Sequence, residues 1–151
     1  MNSRFLVEYG FSEFGKFICD DVKRRKVKLS SPGVYAFVLN SDFPRLNGVT
    51  DILYIGQAGG RKKMGRAIFY RMMDYCKAYA SAPQDKRISD SIKRVKTRVR
   101  IGTTLKDELL DNNVYLFYKA LPADQCQKAE FELLHKFTEE HIELPPLNRS
   151  K

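Results

Sequence analysis

A carboxylate set among apolar side chains needs a partner, and Glu130 is placed in that way. Read as a helix from about Ala123 to Ile142, the chain puts Cys126, Leu133, Leu134 and Phe137 on the Glu130 side. All four lie within roughly 40–60° of it at about 100° per residue. Glu132 projects instead with His135, Lys136 and Glu139 toward solvent. A carboxylate on a core-facing stripe is costly unless it is paired, hydrogen-bonded or bound to a metal. Glu130 is therefore a metal-ligand candidate, and the alternative is a structural ion pair with a buried Arg. A second pattern is Gly33-Val34-Tyr35, followed after a loop by Tyr54-Ile55-Gly56. As paired strands of one hairpin, the two tripeptides bring two phenols to one face, and the glycines allow a large group close to the backbone. The ordinary alternative is a Tyr pair serving as core.

These residues have to be positioned by the elements around them. Phe11, Phe14, Ile18 and Val22 follow helical spacing and predict an amphipathic helix over Phe11 to Lys26. Its basic end (Lys23, Arg24, Arg25, Lys26, Lys28) suits the negative end of a helix dipole, or alternatively contacts phosphate. Val34 to Leu39 and Ile52 to Ile55 read as strands, with a hairpin loop over Asn40 to Thr50. From Gly65 to Tyr79, Ile68, Phe69, Met72, Cys76 and Tyr79 share one helical face. The segment 83–112 reads partly as helix, through Ile88, Ile92 and Val95, and partly as strand over Thr97 to Ile101. Val114 to Leu121 is a strand, and Pro145-Pro146 stops the last helix. This order predicts an α+β fold: a small antiparallel three-stranded sheet flanked by helices, with an added N-terminal helix. The division expected is a helical extension over residues 1–30 and one compact domain over 31–151.

Composition sets the outer limits. The 151 residues carry 27 Lys plus Arg against 18 Asp plus Glu, a net charge of +9. With 43% hydrophobic residues, the chain can bury a core and is too apolar for a disordered basic tail. No run reaches the roughly 18 apolar residues of a membrane span. The first residues meet a charge before any hydrophobic signal region, which argues against an export leader and for a cytoplasmic, nucleoid-associated protein. Cys19, Cys76 and Cys126 are odd in number and far apart, and are expected as buried free thiols of a reducing compartment. Two histidines and no close Cys pair argue against structural zinc. His135 and His141 do not share a helical face, and both are expected at the surface. The positive excess favours a polyanion, nucleic acid first.

The two tripeptides, together with three segments further along the chain, resemble the GIY-YIG nuclease family. Gly33-Val34-Tyr35 is similar to its first motif and Tyr54-Ile55-Gly56-Gln57-Ala58 to its second and the continuation into a helix. Arg71-Met72-Met73-Asp74-Tyr75 resembles the segment bearing the family's arginine, with Tyr75 where relatives carry Tyr or His. Glu130-Phe131-Glu132-Leu133-Leu134 resembles the motif of the metal-binding glutamate, and its registration selects Glu130 over Glu132. Pro145-Pro146-Leu147-Asn148 resembles the closing element. Two departures stand out. The spacing from Tyr35 to Tyr54 is long for the family and implies an extended hairpin. Gln57 replaces a Lys of some members, with Lys62, Lys63 and Arg66 as nearby substitutes.

The resemblance implies hydrolysis of a DNA phosphodiester with one Mg²⁺ or Mn²⁺ held by Glu130 and waters. It implies Arg71 on the scissile phosphate, Tyr54 and Tyr35 on the attacking water (with Tyr54 as the expected base), and Tyr75 and Asn148 as further site residues. The DNA, double-stranded or branched, is expected along Lys86, Arg87, Lys93, Arg94, Lys96, Arg98 and Arg100, whose alternative is a solvated face. Two other classes remain open: a nucleic-acid-binding module of the same fold without chemistry, and an RNA- or partner-directed adaptor. The presence of Tyr35, Tyr54, Arg71, Glu130 and Asn148 together favours the enzyme.

Overall fold

The computed structural model describes residues 1–60, 66–80 and 113–148. In chain order these form α1 (Ser3–Glu8), β1 (Ser12–Lys16), α2 (Cys19–Arg24), a 3-10 turn (Lys26–Leu29), β2 (Gly33–Pro44) and β3 (Val49–Ala58). Then come α3 (Ile68–Ala80), β4 (Val114–Ala120) and α4 (Ala123–His141). The α+β class expected from the sequence is present, but the sheet has four antiparallel strands rather than three, in the order β1-β4-β2-β3.

The extra strand comes from the N-terminal segment, where one amphipathic helix is expected. Residues 12–16 pair instead with β4, Ser12 opposite Tyr118 and Lys16 opposite Tyr115. Gly15 stands at φ 111°, outside the conformation a helix accepts, and the register shifts between Glu13 and Gly15. Phe11 and Phe14 enter opposite layers of the core, and Ile18 and Val22 lie beyond the strand, so their helical spacing marks no shared face. Helix begins only at Cys19, with Asp20 and Asp21 in its first turn and Lys23 and Arg24 in its last, as the dipole favours.

The sheet is covered on both faces. Phe14, Tyr35, Phe37, Leu116 and the α3 residues Ile68, Met72 and Tyr75 form one apolar layer. Val34, Ala36, Val38, Ile55 and the α4 residues Ala129, Leu133 and Phe137 form the other. Alternate residues of β2 thus serve opposite cores, as the period of a strand requires. The hairpin is long, as the tyrosine spacing implies, with a 12-residue β2 and a 10-residue β3.

Cys19 and Cys76 form a disulfide with Cα atoms 5.9 Å apart, tying α2 to α3. This corrects the expectation of three free thiols; Cys126 alone is free, and it is buried. His141 is a second correction. It is 2% exposed, its Nδ1 lies 2.7 Å from the Asn47 carbonyl oxygen, and its ring packs 4.4 Å from that of Phe137. His135 is exposed as expected, stacked on Phe131. Among the described residues, no helix is long and apolar enough to cross a membrane. The segment 83–112 lies outside the described residues.

Candidate active site

A bulge lies beside the site. Phe37 pairs with Tyr54 and Val38 with Ile52, leaving Leu53 without a counterpart on β2. Strict alternation would send Tyr54 to the same face as Ile52. The extra residue turns it over, so that Leu53 and Tyr54 both join the α3-side layer while Ile52 stays on the α4 side. The unbroken register from Gly33 opposite Ala58 to Phe37 opposite Tyr54 puts Tyr54 on the Tyr35 face, with ring centroids 6.1 Å apart. From α3, Tyr75 completes the group at 6.0 Å from Tyr35 and 6.5 Å from Tyr54. The Tyr35 and Tyr75 hydroxyls are 2.6 Å apart and share a hydrogen bond. Phe37, which no motif marks, sits 5.1 Å from the Tyr75 ring and closes the floor of the group.

Gly56 explains the closeness of the rings. It lies opposite Tyr35, and a Cβ there would stand 2.6 Å from a Tyr54 ring carbon and 2.7 Å from the Tyr35 hydroxyl. Both rings are buried and have no room to withdraw. Gly56→Ala is therefore expected to destabilise the chain by about 2–3 kcal/mol, the scale of overpacking, and to break the Tyr35–Tyr75 bond. Urea denaturation checks the first and tyrosine hydroxyl NMR the second; an unchanged midpoint would contradict the crowding.

Burial pushes the Tyr35 phenol well above its ordinary value, and the neighbouring Tyr75 and Tyr54 add to the rise while Arg71 opposes it. Burial does the same to Tyr75, again against Arg71. Tyr54, 9% exposed, is raised less, by burial first, with the Glu130 charge adding to the rise and the Arg71 charge opposing it. All three phenols therefore stay neutral through physiological pH.

Stability at high pH depends on the same burial of Tyr35 and Tyr75. Unfolded phenols ionise near pH 10, whereas the folded ones hold their protons higher. Their stabilising share is complete below about pH 10 and falls above it, by roughly 1.4 kcal/mol per pH unit for each phenol. In urea titrations, the gap between wild type and Tyr35→Phe should be constant from pH 7 to 9 and shrink from pH 10 to 11. A gap that stays constant to pH 11 would contradict it.

Arg71 precedes Tyr75 by one turn of α3, so both project toward the sheet from one side. Its Nε is buried and has no hydrogen-bond partner among the described residues. The other such atom, Arg45 Nε, belongs to a guanidinium whose Nη2 already meets Glu143 and the Leu144 carbonyl oxygen, both at 2.7 Å. Glu130 stands on α4, on the other layer, and its charge acts on Tyr54. The buried stripe of α4 runs through Cys126, Ala129, Leu133, Phe137 and His141, and Glu130 is half-buried at its margin beside Leu134 rather than at its centre. That corrects the helix-face reading by about 40°, on 100° per residue. The margin is where a carboxylate keeps water and still acts on Tyr54.

Asn148 does not join the phenols. Its side chain accepts from Ile55 N–H at 3.0 Å and donates to the Ile55 carbonyl at 2.8 Å, while Leu147 N–H donates to the Leu53 carbonyl at 3.0 Å. The carboxamide imitates a peptide unit and closes the open edge of β3 at Ile55, next to Tyr54. It is a positioning residue. Gln57 is likewise structural: buried, its side-chain oxygen accepts from Gly60 N–H at 2.9 Å. Arg66, expected on nucleic acid, is held by both oxygens of Asp74, at 2.8 and 3.2 Å. Lys62, Lys63, Lys86, Arg87, Lys93, Arg94, Lys96, Arg98 and Arg100 lie outside the described residues.

The donor set can be tested against a divalent ion. Among the described residues, no group of three or more His, Cys, Asp or Glu side chains is placed to hold a metal. A single half-buried carboxylate completed by waters and phosphate oxygens is nevertheless a shell that Mg²⁺ accepts. Glu130 fits that description. Comparison with known proteins adds no family to this geometry: no family model matches the chain, and neither a curated protein nor a solved structure matches it.

Proposed function

We propose that the protein is a metal-dependent endonuclease that hydrolyses DNA phosphodiester bonds. The observation that carries this reading is the buried Nε of Arg71, without a partner among the described residues, beside three neutral phenols. A planar guanidinium with an open donor suits a non-bridging phosphate oxygen, and it would stabilise the charge that grows there during displacement. Tyr54, the most accessible of the phenols, orients the attacking water, and the Tyr35–Tyr75 hydrogen bond fixes the ring beside it. Glu130 would hold Mg²⁺ or Mn²⁺, which when bound supplies Lewis-acid stabilisation of the phosphate and the leaving 3′-oxygen. The net charge of +9 supplies backbone attraction, so affinity should fall steeply with salt.

The second reading, a binding module of the same fold without chemistry, rests on the same burial: Tyr35 and Tyr75 are 1% and 2% exposed and bonded to each other, as core residues would be. Supercoiled plasmid incubated with the protein and Mg²⁺ separates the two. Nicking that stops with EDTA supports the enzyme; binding without cutting of supercoiled, linear, branched or single-stranded DNA overturns it in favour of the module.

A further inference from the structure

We infer that the outer face of α3, with the segment joined to it by the disulfide, is a stacking platform for an unpaired nucleotide of the DNA substrate. The inference rests on DNA as the ligand and deepens that reading without depending on cleavage. Tyr70 is next to Arg71 in the chain and 47% exposed, unlike the buried Tyr35, Tyr54 and Tyr75. Cations lie over its ring, Lys26 Nζ at 5.5 Å from the ring centre and the Arg66 guanidinium at 5.9 Å. The Arg66 fork is held in place by its two contacts with Asp74, so it serves as a fixed wall and not as a mobile phosphate ligand.

Lys26 also caps the Phe69 ring at 4.9 Å, and Phe69 meets Tyr70 edge-on at 5.3 Å. The Cys19–Cys76 bond holds α2 against the same helix. Exposed Lys23 and Lys28 flank Lys26 in sequence, whereas Arg24 is paired with Asp21 and Arg25 is spent on Phe14.

Cations alone would suit a duplex backbone as well as a single strand. The half-exposed ring beside them decides for an unpaired base, because a stacked base within a duplex offers its face to neither side. Tyr70 lies one residue from Arg71 and about 100° around the same helix, so a strand stacked on it runs along the helix that carries the arginine. The substrate class this selects is DNA with a free strand at the site, such as an overhang, flap or fork.

The test is fluorescence anisotropy in EDTA, with a labelled thymidine 20-mer and a duplex of equal length. Tyr70→Ala should weaken single-strand binding about tenfold or more and leave duplex binding within about twofold. Tyr70→Phe, which keeps the ring face, should bind both as wild type does. Lys26→Gln should weaken both and reduce the salt slope by about one. Equal loss of both forms in Tyr70→Ala, no loss at all, or no binding by the wild type would each overturn the platform. Because no cutting is read, a protein that stacks the single strand but never nicks plasmid would remove the endonuclease and leave the platform standing.

Discussion

Glu130→Gln is expected to lower Mg²⁺-dependent plasmid nicking about a thousandfold while holding DNA affinity within about twofold. The substitution keeps size and hydrogen bonding but removes the one formal charge that a hard cation requires. Lewis-acid stabilisation contributes several kcal/mol, and about 4 kcal/mol is a thousandfold in rate. Binding survives because backbone attraction comes from the cations and not from this carboxylate. The loss of a negative neighbour has its own signature: Glu130 pushes the Tyr54 phenol up, so in Glu130→Gln that phenol should ionise at lower pH. A Tyr54 titration followed by ultraviolet difference spectra, against Tyr54→Phe in the same background, reads that shift without any turnover. Glu132→Gln is the control, since Glu132 is half-exposed and faces Lys128 across one helical turn. Full activity in Glu130→Gln, or its loss in Glu132→Gln instead, would remove Glu130 from the metal.

What can be read from the chain before folding divides along a physical line. Val34 to Leu39 and Val114 to Leu121 announce themselves because β-branched and aromatic runs are local facts. The pairing of the two tyrosine tripeptides is also near-local, since one hairpin makes it. The bulge that puts Leu53 and Tyr54 on one face is not, because Leu53 is an ordinary strand residue until the pairing on either side is known. Helical spacing puts Glu130 on the right side of α4 but too deep, because Ala129, and not Leu134, completes the buried stripe. The N-terminal strand hides behind a helical spacing of residues that fall in different elements, and only its distant partner β4 decides the matter. His141 has the sequence context of a surface histidine because the Asn47 carbonyl that receives it comes from the far end of the hairpin. Asn148 stands out by its motif, but its side chain works on the Ile55 backbone.

Removing the Cys19–Cys76 bond should lower stability by roughly 4 kcal/mol, the loop-closure entropy for a sequence separation of 57. On a chain of this size that is a fall of roughly 10 °C in midpoint. The bond does more than close a loop, because Cys76 follows Tyr75 directly and lies on the helix that carries Arg71. With it, α2 and α3 move together; without it, the Tyr35–Tyr75 contact depends on packing alone. In Cys19→Ser the midpoint should therefore fall, and cleavage should lose rate even well below that midpoint, since an arginine displaced by 1 Å forfeits about a hundredfold. The thiol count comes first: the unreduced chain in denaturant should titrate one thiol, Cys126, and three after reduction. Three thiols before reduction would mean that the bond does not form, and the two cysteines would then be packing residues of the kind their sequence context suggests. One thiol, with a midpoint unchanged in Cys19→Ser, would mean that α2 and α3 are already joined tightly enough by Val22, Phe69 and Met72 for the bond to add nothing.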